Sequence, residues 1–262
     1  MGQATSSIRD DAGLADPTTT IDGAAPTSEA GSYTVSRGHS EVEYQLSKAG
    51  GAESTIEISS TAFDDLPLGF DVLSVHNTST PSIYASVTQN DGLMDDGTPS
   101  LVARVATDES HRKWTVYWVD KPTYSSQAED PEASKASGSK LYRKCEIQVS
   151  EGRYSAVVKK YEAHSNPKED VGVLSSDVLL KLEKPIGMSE LLATHYYTLL
   201  DGESSDTTNP IAGWKWAHPM ANKMDFAIAK GADLTLHFIL LVVMNIVQKD
   251  KMLGVTQSGD VV

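Results

Sequence analysis

The chain has 262 residues, with 22 Lys and Arg against 36 Asp and Glu and a net charge of -14. With 39% hydrophobic residues it can build a real core in one large domain or two small ones, so it is not a disordered acidic chain throughout. The charge argues against non-specific nucleic-acid binding and against a polybasic grip on anionic lipid. A single Cys excludes a disulfide framework and a Cys-based zinc site.

The first residues, Met1-Gly2-Gln3-Ala4-Thr5-Ser6, fit the pattern Met-Gly-x-x-x-Ser/Thr for N-myristoylation. The acyl transferase must reach an α-amine with no Cβ beside it, which makes Gly2 the candidate lipidation site. Residues 1–32 are rich in Ala, Thr, Ser, Gly and Asp and read as a disordered arm, with no signal-peptide core. The arm sets Arg9 against Asp10, Asp11, Asp16, Asp22 and Glu29, and it has no Cys for a second acyl chain. One myristoyl chain binds a membrane only marginally. Attachment is therefore expected to be reversible or to depend on a partner.

From residue 33 onward, period-two alternation recurs between Gly, Pro, Asn and Asp turns. The expected strands are Tyr33–Val35, Val42–Leu46, Thr55–Ser59, Ser82–Val87, Leu101–Val105, Trp114–Val119, Leu141–Val149, Tyr154–Lys159, Val178–Leu182, Ile211–Trp216 and Met224–Ala229. Ser189 to about Leu200 reads as a short helix, with Leu191, Leu192, His195 and Leu199 on one side. Residues 125–139 and 202–210 read as polar, mobile insertions.

The most apolar stretch is Leu234–Val247, interrupted by His237 and Asn245 and preceded by Asp233 at the position of an N-cap. Its apolar residues cover every face of a helix, which marks either a membrane span or a helix buried in protein. About 20 residues are needed to cross a bilayer, so the length favours burial, with bilayer insertion as the alternative. A short helix apolar all round can fill an antiparallel barrel too wide for its own side chains to fill.

The segment Met224-Asp-Phe-Ala-Ile-Ala-Lys-Gly231-Ala-Asp233, running straight into Leu234–Val247, resembles the ending of the LURP-one-related proteins. Leu141-Tyr-Arg-Lys-Cys145-Glu-Ile147 followed by Arg153-Tyr-Ser-Ala156-Val-Val158-Lys-Lys160 resembles their penultimate hairpin. These proteins and the phospholipid scramblases belong to the tubby C-terminal-like superfamily. The resemblance implies a mainly β fold, a closed antiparallel β-barrel of about twelve strands around a central hydrophobic C-terminal α-helix. It would cover residues 33–250, with the helix at about 233–248 and a flexible tail at 251–262.

Catalytic chemistry finds no footing. There is no Gly-x-Ser-x-Gly elbow, and the seven His residues show no His-x-x-x-His or His-Glu-x-x-His spacing. Cys145 alternates within a strand and reads as a small buried hydrophobe. No cofactor or metal site is expected. Residues 140–184 carry nine bases against seven acids in an otherwise acidic chain. Tubby-like domains bind phosphoinositide head groups through Lys and Arg on the barrel wall. By that analogy Lys140, Arg143, Lys144, Arg153, Lys159 and Lys160 are the candidate head-group residues. Alternation places Arg143 and Cys145 on one face and Lys144 and Glu146 on the other, which splits the bases between faces.

The leading expectation is a non-enzymatic binding module for a lipid head group or a protein partner, tethered at the cytoplasmic face of a membrane through acylated Gly2. The alternative is a structural or assembly protein that uses the barrel as an interaction scaffold.

Overall fold

The computed structural model describes residues 31–37, 43–48, 54–61, 72–77, 100–107, 111–119, 129, 131, 134–135, 140–152, 155–162, 173–183, 196–199, 211–216, 223–229 and 232–252. They form twelve strands and a C-terminal helix. In order these are β1 (Gly31–Arg37), β2 (Glu43–Lys48), β3 (Ser54–Thr61), β4 (Val72–Asn77), β5 (Ser100–Thr107), β6 (Lys113–Val119), β7 (Leu141–Val149), β8 (Ala156–Glu162), β9 (Val173–Glu183), β10 (Tyr196–Leu199), β11 (Ala212–Trp216), β12 (Lys223–Ile228) and α1 (Leu234–Met252).

Each strand pairs antiparallel with the next, and β1 also pairs with β12, with Gly31 opposite Ile228 and Val35 opposite Met224. The order therefore closes on itself as a ring. Such closure satisfies the backbone groups that an open sheet leaves on its edges.

Period two decides which side chains face in. On β6 Trp114, Val116 and Trp118 are buried while Thr115 and Tyr117 are half-buried. On β12 Met224 and Phe226 are buried between exposed Lys223 and Asp225. The inward residues of the strands and the apolar residues of α1 make one continuous core. From Leu234 to Met244 every residue of α1 is buried, so the helix has no solvent face over three turns.

Asp233 starts that helix. Its Oδ1 accepts the Leu236 N–H at 3.0 Å, which satisfies one of the amide donors left open at a helix N-terminus. Its carbonyl accepts the His237 N–H at 3.1 Å as the first helical bond. At the β5–β6 corner His111 takes a left-handed φ of 52°. Trp114 holds it there by donating its indole N–H to the His111 carbonyl at 2.9 Å.

Several expectations change. Tyr196–Leu199 is strand β10 rather than the end of a helix, because Tyr-Tyr-Thr pairs well on a pleated surface whatever the Leu spacing suggests. β4 at Val72–Asn77 was not expected, and the expected strand Ser82–Val87 lies outside the described residues. Part of the segment 125–139 packs on β7 instead of forming a free loop. Glu129 bridges to Tyr142, and the Leu141 N–H donates to Ser134 Oγ at 2.8 Å. The helix runs to Met252, beyond the expected end near 248 and two residues into the expected tail. No helix among the described residues is long and apolar enough to cross a membrane.

Candidate functional site

The outward residues of β5 to β9 form three cross-strand rows. In the first, Lys113 lies opposite Gln148, Gln148 opposite Val157, and Val157 opposite Lys181. In the second, Ala106 lies opposite Thr115, then Glu146, then Lys159. The third runs Arg104, Tyr117, Arg143. Rows lie about 7 Å apart and strands about 4.8 Å apart, so the face measures about 14 by 19 Å. Among the described side chains it holds Arg104, Lys113, Arg143, Lys159 and Lys181 around one carboxylate, Glu146.

Glu146 is well engaged. Gln148 Nε2 donates to its Oε1 at 2.6 Å and the Tyr161 hydroxyl donates to its Oε2 at 3.1 Å. Burial and then the Glu146 charge push the Tyr161 phenol up to about 12, so it stays protonated and keeps donating. The Arg143 guanidinium lies 5.5 Å from the Tyr161 ring centroid and covers it. Tyr161→Phe is expected to lower the unfolding free energy by about 1 kcal/mol, because it leaves a part-buried carboxylate oxygen short of a donor. Urea denaturation checks this, and an unchanged midpoint would show that the bond contributes nothing.

Of the expected head-group residues, Arg143 and Lys159 stand on this face. Lys140 lies beside it, its Nζ 4.0 Å from Glu129 Oε2 with side chains 68% and 38% exposed, a pair of small energetic worth. Lys160 is half-buried opposite Cys145, at the register of the inward residues. Gly2 and Arg153 lie outside the described residues.

Lys144 is a correction: it is buried inside the molecule, with a side chain 0% exposed. Val116 pairs with Cys145, but Tyr117 pairs with Arg143, so β7 has one residue more than β6 at this point. That bulge breaks the strict alternation, and Lys144 and Cys145 both turn inward. Arg104, Lys113 and Lys181 are the face residues that sequence reading missed. The first two lie far along the chain from the basic segment 140–184, and only strand pairing brings them to it.

The inward Lys144 is the only buried Lys or Arg among the described residues. Its Nζ lies 5.8 Å from the Trp118 ring centroid. Burial pushes the Asp233 carboxyl up to about 6, while Lys144 and the amides of the cap pull it down. His237 sits one turn further on, its Nδ1 2.7 Å from the Asp233 carbonyl oxygen. A carbonyl only accepts, so Nδ1 carries the proton and Nε2 is bare in the neutral ring. Burial brings the His237 imidazole down to about 4, which keeps it neutral at physiological pH. Burial likewise raises the Cys145 thiol to about 12, so the free thiol stays protonated at neutral pH. Among the described residues no cluster of three His, Cys, Asp or Glu could hold a metal ion.

The outer face concentrates positive charge of the kind that suits a multivalent anion. No protein-family model matches this chain, and no curated protein matches it.

Proposed function

We propose that this protein is a non-enzymatic, membrane-associated binding module built as a tubby-like barrel, with twelve strands wrapped round α1. Strand spacing supports the wrapping. Twelve strands about 4.8 Å apart and tilted by about 40° enclose a ring about 24 Å across. Inward side chains take up about 5 Å on each side, and the space left, about 14 Å, is wide enough for a helix of 10–12 Å. The resemblance of the Met224–Asp233 segment and its helix to the LURP-one-related ending points the same way.

The observation that carries the functional reading is the outer face of β5–β9. Among the described side chains five cations gather around one carboxylate there, in a chain whose net charge is -14. Such a concentration against the overall charge suits the phosphate-rich head group of an anionic lipid. Acylation at Gly2 supplies a weak tether, and the face supplies the second signal that a single acyl chain requires.

The test is sedimentation with phosphatidylcholine vesicles, with and without a phosphoinositide. Each Lys or Arg near an anionic surface contributes about 1 kcal/mol. The triple substitution Lys113→Ala, Lys159→Ala, Lys181→Ala is therefore expected to weaken phosphoinositide-vesicle binding about a hundredfold, and added salt to weaken the parent. Binding indifferent to both changes would remove the face from the reading. Intact mass of native protein tests the tether, which requires loss of Met1 and gain of a myristoyl group.

Glu146 favours a second reading, a protein partner with cations of its own. Glu146→Gln separates the two: it strengthens vesicle binding if lipid is the ligand and weakens a protein complex if Glu146 is a contact.

A further inference from the structure

The outer face of β5–β9 has a charge complement within the same chain. Among the described side chains, five cations and one acid leave the face at +4. Ahead of β1, Arg9 against Asp10, Asp11, Asp16, Asp22 and Glu29 leaves the arm at -4. The wall from which the arm departs has no such excess. At the outward positions of β1 and β12 the described side chains include one cation, Lys223, and one carboxylate, Asp225. Reach decides which acids can use the basic face. β7 lies six strands from β1 in either direction round the ring, a path of about 38 Å at about 4.8 Å per strand and a tilt of about 40°. Asp16, Asp11 and Asp10 precede Gly31 by 15, 20 and 21 residues, enough for about 50 Å or more at about 3.3 Å per residue. Asp22 precedes it by nine residues, about 30 Å, and Glu29 by two, so neither reaches the middle of the face.

We propose that Asp10, Asp11 and Asp16 dock on the outer face of β5–β9 and occupy it in place of other anions, so that the chain carries its own competitor. Exposed ion pairs are individually weak. A tethered segment, however, meets its site at an effective concentration on the order of millimolar, where weak pairs suffice. Salt screens such pairs, and an anionic surface of higher charge density displaces them. The docking stands on charge and reach, whereas the competition rests on the proposed binding of an anionic head group. Gly2 lies eight residues ahead of Asp10, about 26 Å at most. Docking therefore keeps the acylation site beside the same face, and displacement by a lipid surface releases both together.

Carbodiimide, which joins a carboxylate to a lysine amine in direct contact, tests the docking in full-length protein without any ligand. In the monomer fraction, peptide mass spectrometry is expected to find Asp10, Asp11 or Asp16 joined to Lys113, Lys159 or Lys181, and added salt to remove these links. Their absence overturns the docking. So do links from these acids that reach Lys135 or Lys223 as often, or that occur only in crosslinked dimers. Sedimentation with phosphoinositide vesicles tests the competition. An arm docked about three-quarters of the time leaves about a quarter of the molecules open, so Asp10→Asn, Asp11→Asn and Asp16→Asn together are expected to tighten binding about fourfold. Asp22→Asn with Glu29→Gln, beyond reach of the middle of the face, controls for plain charge repulsion and should change binding less than about twofold. A triple variant that gains no more than this control, while Lys113, Lys159 and Lys181 still govern vesicle binding, overturns the competition. Vesicle binding indifferent to the lysines overturns the lipid reading and the competition with it, while the docking stands or falls with the crosslinks.

Discussion

Phe238→Ala is expected to lower the unfolding free energy by about 3–5 kcal/mol, the upper range for core truncations. Phe238 is 0% exposed on a stretch of α1 buried on every side. The cost of a core truncation is the lost transfer free energy plus that of the cavity left behind, and the second depends on how far the surroundings can collapse. A ring of strands hydrogen-bonded to both neighbours cannot move inward at one point without breaking ladders elsewhere, so most of the cavity should remain. Urea unfolding with a two-state fit gives the change. Lys135→Ala, on an exposed residue, is the control and should stay within about 0.5 kcal/mol. A loss at Phe238 below about 1 kcal/mol would mean that α1 does not fill the core, and the wrapped-barrel reading would fall with it.

Removing either Asp233 or His237 should give the stability of this protein a pH dependence, and the two should have opposite signs. Asp233 rises from an ordinary 3.8 to about 6 on folding. The folded state binds more protons between those values, so its stabilising contribution is complete below 3.8 and lost as pH rises through about 6. His237 falls from 6.5 to about 4. Its contribution is complete above 6.5 and lost as pH falls through about 4. At 1.36 kcal/mol per unit each amounts to about 3 kcal/mol, so between pH 4 and 6 they nearly cancel. Asp233→Asn leaves the His237 dependence alone. Relative to the parent, that variant should lose about 3 kcal/mol on acidification from pH 6.5 to 4. His237→Leu should gain about as much relative to the parent over the same range. Urea midpoints measured across pH give both differences, and other titrating groups cancel because all three proteins share them. Curves parallel to the parent would show that neither group titrates abnormally in the fold.

The strand-rich middle and the buried character of α1 could be read from the chain because both rest on local period: alternation for β6, β7 and β12, and apolar residues on every helical face for α1. Asp233 as the cap was readable for the same reason. β10 was not, because Leu191, Leu192, His195 and Leu199 mimic a helical stripe, while what makes Tyr196–Leu199 a strand is its pairing with β9 and β11. The fate of Lys144 was hidden more deeply. A bulge is a mismatch between two strands, and nothing within Leu141–Val149 announces that β6 will have one residue fewer. Perfect alternation assigned Lys144 to the solvent, and the register of β6 moved it to the core. The outer face was half visible for a related reason. A charge count along a window finds cations close in sequence, such as Arg143 and Lys159, but not Arg104 or Lys113, which reach the same face from strands to one side.

The pairing of Gly31 with Ile228 also constrains how the molecule comes into being. On the ribosome β1 emerges early and must wait for β12 before its second ladder can form, and α1 follows only after that. The wall is therefore made before the helix it packs against. The paired strands β2 to β9 would hold apolar inner faces open to solvent throughout synthesis, with ring closure left as a late, long-range step. Slow folding follows from the same long-range pairing of β1 with β12.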